Sequence, residues 1–421
     1  MKAPDQVALA VWAQCQHGTP WFFAWHRLYL FYFEKQLQAA SGDPTLRLPY
    51  WDYTNPAQLA MPAEFAQPSY KDASGNDQPN PLFEPRRAPG WQQGDETLDT
   101  NSTNIDGQLT QSNFGGYQSG IEQNVHGYIH CTVATTCPVV NMGAVPYSAN
   151  DPIFWVHHAN IDRMWSCWSN MTGHKNPSDS SFTNKSYSFV DASGQQVTVK
   201  VGDLFNGGLI DYKYEQETNC ARSGVKLAAN AEGARVQGAQ SPKVLEMIER
   251  RPVLNKSTEP VQIKAATTKV NVELQKANDL KPLVDLALRA DAPPSTRTHL
   301  ILSGITFASP PGAQFYVYLE NPADPNRREY AGTVNFFGAM SGEEHTGHQH
   351  GADMDAASGM TRDFDVTEAL RKLGSGKPDL NAVTVSFEAT NGRVGSKETP
   401  KINENAGLTV KSVDFRLTPS E

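Results

Sequence analysis

Nowhere does this 421-residue chain approach the run of about 18 uninterrupted apolar residues that a membrane-spanning helix needs. It also lacks an excess of basic charge. Its 36 Lys and Arg against 45 Asp and Glu leave a net charge of −9, which argues against a nucleic-acid or anionic-membrane partner. No Cys-x-x-Cys pair occurs, so neither a zinc ribbon nor a thioredoxin-like site is supported. After Cys220 there is neither Trp nor Cys, although the chain holds 8 Trp and 5 Cys. Trp12, Trp21, Trp25, Trp51, Trp91, Trp155, Trp165 and Trp168 all precede residue 170. Two segments of such different composition read as two domains, and the length is ample for both cores without disulfide staples.

The cysteines are Cys15, Cys131, Cys137, Cys167 and Cys220, an odd set that leaves at least one thiol outside any internal disulfide framework. Cys131 and Cys137 are close enough in sequence to bridge, with Cys167 and Cys220 as the natural remainder; geometry decides that pairing. Sequons stand at Asn101, Asn170, Asn184 and Asn255, a triplet frequent by chance. No signal peptide is visible in the chain as given. The compartment stays open, with a secreted or periplasmic setting slightly favoured.

Hydrophobic patterning separates the halves further. WFFAWHRLYLFYFEKQLQ (21–38) is apolar on nearly every face, which marks a helix buried all round. A Gly/Pro/Asn/Asp-rich run from about 62 to 119 reads as long loops. Further helical patterns cover 121–131 and the stretch from Asp151 past Trp168, and alternating pieces between Ser178 and Asp211 suggest a small hairpin. Residues 226–250 are linker-like in their Ala, Gly, Ser and Gln content. Beyond them VQIKAATTKVNVEL, HLILSGITF, AQFYVYLE, AGTVNFF, NAVTVSFEAT and LTVKSVDFRL show the period-2 alternation of an antiparallel sandwich or barrel. The expected division is a mainly helical domain over 1–225, a linker over 226–250 and an all-β sandwich over 251–421.

Histidine placement carries the chemistry. Six of eleven fall at 17, 26, 126, 130, 157 and 158, on or beside the helical patterns. His126 and His130 are four apart, so on a helix both imidazoles share a face and reach one metal ion. His157 and His158 point different ways, so one can be a ligand while the other faces another wall. Asp162, four after His158, is placed to accept an imidazole N–H. His17 and His26 lie half a turn out of phase on a continuous helix. If both hold one metal, His17 lies in a loop before the helix, and Gly18 and Pro20 provide the break. Any one of these alone reads as a hydrogen-bonded core residue; the set, without thiolates or carboxylates at ligand spacing, suits copper, zinc or iron.

The stretch His17-GTPW-FFAW-His26-Arg27-LYL-FYF-Glu34 resembles the first copper signature of tyrosinases, catechol oxidases and molluscan haemocyanins. DPIFWVHHANID (151–162) resembles their second, and LPYWDYT and NMGAVPYSANDPIF are similar as well. The resemblance implies a helical bundle around two copper ions per chain, with small phenols and O2 as partners. It assigns His17 and His26 to the first copper and His126, His130 and His158 to the second, with His157 outside the ligand set. It implies a thioether between Cys15 and His17, which would leave the other four cysteines for two disulfides. Glu122 matches a carboxylate that orients a water for phenol deprotonation. Gly127 stands where strong monophenolases often have Asn, which tilts the expectation toward o-diphenols, and Val145 stands at a gate over the site, where a small residue should admit bulkier phenols.

AGTVNFFG, HTGHQH, RDFDVTEALRKLG and LTVKSVDFRL resemble the β domain of plant-type polyphenol oxidases, which in relatives covers the copper site and holds the enzyme latent. His345, His348 and His350 read as loop residues at a domain contact. The family has three histidines per copper, and no histidine precedes His17 here. Either a segment upstream is missing, or this copper has two protein ligands from its usual set, or His174, His299 or the 345–350 cluster replaces the third. Two alternatives follow from the same motifs: haemocyanin-like reversible O2 binding, and a copper-depleted inactive relative.

Overall fold

A computed structural model describes residues 10–135, 137–139, 141–206, 208–215, 220–222, 252–255, 258–274, 281–289, 296–339, 359–374 and 380–418. Helix α1 (Phe22–Ser41) is buried at Phe22, Phe23, Trp25, Leu28, Leu30 and Phe31, and it ends at Gly42, whose φ of 71° is the left-handed stop that glycine adopts without strain. The break expected after His17 is present: the chain turns at Gly18, φ 65°, and α1 begins only at Phe22.

Helix α2 (Phe114–Gly120), capped by the Asn113 side chain on Gly116 N–H, runs into a π-helical turn over Ile121–His126 and then into α3 (Gly127–Val133). The wider turn shifts the phase of everything after it. Helix α4 (Ile153–Ser169) packs against α1, and the guanidinium of Arg27 joins the two through Asp162 at 2.5 Å while lying 3.9 Å over the Trp165 ring. The 62–119 run is loop with short pieces, including the hairpin β1 (Ser69–Lys71) and β2 (Asp77–Pro79) and the two-residue strand β3 (Thr97–Leu98). The hairpin expected after 178 is β4 (Ser186–Val190) paired antiparallel with β5 (Gln196–Lys200). All eight Trp lie in, or packed against, the large apolar core of this half. Cys131 bonds to Cys137 and Cys167 to Cys220, leaving Cys15 a buried thiol.

The second half is built from β6 (Val261–Gln262), β7 (Thr267–Glu273), β8 (Arg297–Thr306), β9 (Gln314–Asn321), β10 (Asp324–Val334), β11 (Met360–Asp365), β12 (Ala382–Thr390), β13 (Arg393–Val394) and β14 (Thr409–Thr418). Two antiparallel four-stranded sheets, ordered β10-β9-β12-β7 and β11-β8-β14-β6, share one apolar core. Strand β14 buries Val413, Phe415 and Leu417 in the alternation that its sequence announces, with Val410 buried one residue out of phase. The half is not all strand, however. Helices α5 (Lys281–Leu288) and α6 (Thr367–Gly374) pack together, and α6 buries Leu370 and Leu373 at helical spacing. The 226–250 segment lies outside the described residues.

The halves meet over a broad polar seam. Strand β13 pairs with β3, so the β half adds a strand to a loop of the helical half. Beside it the buried Arg393 holds the buried Glu96 at 2.6 Å. Tyr128 donates its hydroxyl to Gly392 O at 2.6 Å, and Ser102 Oγ lies 3.0 Å from both Tyr330 and Thr333 hydroxyls.

Candidate metal centre

One nitrogen from each of His126, His130, His157 and His158 falls within 4.8 Å of the others, all four residues being buried. Backbone carbonyls set the tautomers. His126 Nδ1 lies 3.1 Å from Glu122 O and His130 Nδ1 lies 2.7 Å from Met142 O. A carbonyl oxygen only accepts, so Nδ1 carries the proton and Nε2 keeps its lone pair for a metal. The Nε2 atoms of His130 and His158 face one another at 3.3 Å, and Nε2 of His126 and of His157 are buried without a hydrogen-bond partner. Burial, reinforced by neighbouring imidazoles, pushes all four well below the ordinary histidine pKa and keeps them neutral. Converging neutral imidazoles in a dry pocket fit a borderline-soft cation such as copper.

A second group adjoins the first. Cys15 Sγ lies 3.6 Å from His17 Nδ1 and 3.7 Å from His26 Nε2. His26 Nδ1, 2.8 Å from Phe22 O, is fixed as the donor by the same carbonyl logic, and burial lowers that imidazole to about 3. The rings of His26 and His158 stack at 4.4 Å and those of His17 and His126 at 5.5 Å, so the two groups share a wall. Among the described residues this second group holds two histidines and Cys15. His174 and His299 do not complete it. His174 Nδ1 faces Trp168 O at 3.2 Å, and His299 sits in β8 with Nδ1 2.6 Å from Asp363. His345, His348 and His350 lie outside the described residues.

Glu122 ties the groups together. Its Oε1 accepts Gly18 N–H at 2.6 Å, joining the loop of His17 to the turn that carries His126. Burial pushes this carboxyl up to about 8 against the pull of Gly18 N–H and of the Arg362 guanidinium. Such a group is poised to exchange a proton near neutrality.

The expectation for Asp162 fails. Its carboxylate is taken by Arg27, by Tyr212 OH and by Tyr214 OH, the last two at 2.7 Å. One turn beyond His158 on α4, it points to the α1 seam, where a charged donor outbids an imidazole N–H. The carbonyls of Phe22, Glu122 and Met142 take that role for His26, His126 and His130, His157 Nδ1 meets Tyr53 OH at 2.9 Å, and His158 Nδ1 is buried without a hydrogen-bond partner among the described residues.

The common central domain of tyrosinase matches residues 2–114 and 86–171, and a domain of unknown function, DUF7868, matches residues 252–399. Residues 2–171 belong to the tyrosinase family. Tyrosinase HcTyr1 of Hahella sp. (strain CCB-MM4) is 33% identical over 227 residues, 48% of each chain. The chloroplastic polyphenol oxidase of Malus domestica is 28% identical over 373 residues, which cover 79% of this chain and 60% of that protein. The chain thus spans about half to three-fifths of the length of these relatives. A solved latent aurone synthase (polyphenol oxidase) from natural source shares the fold, with a TM-score of 0.58, 21% identity, and coverage of 96% of this chain and 77% of that one.

Over the tyrosinase-type site the β half places one residue that sequence reading did not single out. The Phe337 ring stacks on His130 at 3.8 Å and 12°, and it meets the edges of His126 at 5.3 Å and His17 at 5.6 Å. Val145, buried with its carbonyl held by Trp12 Nε1, packs with Phe337 and the Cys131–Cys137 bridge. The stretch AGTVNFFG carried the signal, since an aromatic pair just past a strand has one ring to spare for a contact outside its own core; here Phe336 is the ring that enters the β core.

Proposed function

We propose that this chain oxidises o-diphenols to o-quinones with O2 at two copper ions. His17 and His26 would hold the first, and His126, His130 and His158 the second, with His157 outside the ligand set. Residues 1–225 form the copper domain and 251–421 its lid, joined by the 226–250 linker. Copper would supply the O2 activation and one-electron steps that no side chain provides.

The protein's own groups do the rest. Two o-diphenols each give up two electrons and two protons to one O2, yielding two quinones and two waters. Glu122, buried beside the histidines and holding its proton up to about 8, is placed to exchange a phenolic proton. The Phe22, Glu122 and Met142 carbonyls keep the Nε2 atoms of His26, His126 and His130 aimed and unprotonated. Val145 leaves a wide mouth for the ring, and Gly127 favours diphenols over monophenols. Phe337 lies over His130 and covers that ligand, so the closed chain would be latent until the β half moves or is cut away near 220–250.

The observation that carries this reading is the convergence of the His126, His130 and His158 nitrogens, two of them 3.3 Å apart, in a buried neutral pocket beside a second histidine pair. The test is copper per chain together with o-diphenol oxidation, before and after limited proteolysis. Two coppers and oxidation that rises on cleavage are expected. One copper or none after loading defeats the dinuclear assignment, and reversible oxygenation without turnover points to O2 carriage. Comparable turnover of a monophenol and its o-diphenol, without a lag, overturns the diphenol preference.

A further inference from the structure

Gly127 opens α3 with φ −64° and ψ −32°, ordinary helical values open to any residue, so the backbone does not call for glycine. The β half does. A Cβ at 127 would lie 2.3 Å from Asn335 Oδ1, 2.8 Å from its Cγ and 3.0 Å from its Nδ2. Asn335 fills the space in which residue 127 would carry a side chain. It is fixed there: Nδ2 donates to Gln123 O at 2.7 Å, inside the π-helical turn of Glu122 and His126, and its own carbonyl accepts Arg362 Nη2 at 2.7 Å. Asn335 is 1% exposed and has only two side-chain torsions. Turning it aside breaks the bond to Gln123 and buries an amide without a partner. Two residues on, Phe337 covers His130.

We propose that Gly127 and Asn335 form a keyhole and key through which the residue after His126 decides whether the lid closes. Glycine admits Asn335, and Asn335 seats Phe337. Any side chain at 127 lifts Asn335 and unseats the ring. A substitution there that retunes phenol selection therefore also abolishes latency, because one position faces both the metal helix and the lid. The consequence for latency rests on the latent phenol-oxidase reading; the docking contact does not.

The test uses full-length Gly127→Ala, Asn335→Gly and the double variant. Two readouts are taken: hydrogen exchange of segment 331–337, and the ratio of o-diphenol oxidation before and after proteolysis. Gly127→Ala is expected to speed exchange in 331–337 at least tenfold and to raise the intact-to-cleaved ratio at least tenfold. Asn335→Gly releases the segment in part, and adding Gly127→Ala to it changes neither readout by more than twofold. The proposal is overturned if Gly127→Ala leaves 331–337 as protected as in the parent, or loosens it equally in the Asn335→Gly background. If no variant oxidises phenols, the function fails while exchange still decides the docking contact. If Gly127→Ala does not fold, the double variant decides: folding with the enlarged hole supports the keyhole, and misfolding overturns it.

Discussion

The sharpest consequence of the closed geometry is what removing one ring should do. Phe337 lies face to face with His130 at 3.8 Å and edge-on to His126 and His17. Truncating a buried Phe to Ala costs about 3–5 kcal/mol, of which aromatic geometry contributes roughly 0.5–1.5 kcal/mol beyond burial. In an open chain the ring would be in water, so most of that loss falls on the closed state alone. At about 1.4 kcal/mol per decade, a shift near 3 kcal/mol multiplies the open-to-closed ratio by roughly 100. The assay compares o-diphenol oxidation by intact and cleaved Phe337→Ala with the intact and cleaved parent, at matched copper content. Intact Phe337→Ala should close the gap to its cleaved form by roughly 100-fold relative to the parent's gap, or until the intact and cleaved rates meet. The reasoning is refuted if intact Phe337→Ala stays as slow as the intact parent and cleavage brings both to one rate. The seam at β13 and β3 would then be what closes the site.

Three further outcomes are expected. Asp162→Asn leaves the half-buried Arg27 without its counter-charge, which should cost about 2–4 kcal/mol in urea unfolding with little change in copper affinity; a large loss of copper with unchanged stability would restore Asp162 as an imidazole partner. In metal-free protein Glu122 keeps its proton from its ordinary 4.5 up to about 8, so the folded state binds more protons than the unfolded state across that window. The Glu122 contribution to stability should therefore fall as pH rises from 4.5 through 8, by at most roughly 5 kcal/mol, while the buried neutral imidazoles add stability up to about pH 6.5; the difference between the parent and Glu122→Gln should show the falling slope alone. If the Cys15–His17 thioether forms in the copper-loaded chain, alkylation after full reduction labels four cysteines and the mass falls two units beyond that count; five labels would show that Cys15 stays a thiol.

Features with a local cause were legible before the fold was known. The aromatic run of α1, the four-residue spacing of His126 and His130, the break after His17 and the alternation in β14 each express a constraint that acts within a few residues. Features caused by distant backbone were not. No side-chain pattern announces that the Phe22, Glu122 and Met142 carbonyls hold the imidazoles, and a carboxylate at the right spacing therefore looked like their partner. Asp162 went to Arg27 because α1 crosses α4 there, and Tyr212 and Tyr214 reach it from about 50 residues away. Helix α6 was hidden because Leu370 and Leu373 sit among strands, where period-2 stretches set the expectation for the whole half.

The lid contact is the instructive case, because one clue to it was local. Glycine inside a helix costs about 0.5–1 kcal/mol relative to alanine, so a glycine between two ligand-bearing turns asks for a compensating close approach. The positions on either side, His126 and Tyr128, are buried and committed, to the metal group and to Gly392 O respectively. Residue 127 is thus a place on that turn where the β half can press directly against the helix backbone, and Asn335 does so. Glycine at 127 therefore has two readings that point the same way: the loss of a side chain from the site, and the room that loss makes for the lid. A relative with a side chain after the corresponding histidine, and with a lid still closed, would need a smaller residue at the position of Asn335, a coupled pair that sequence comparison can find without any structure.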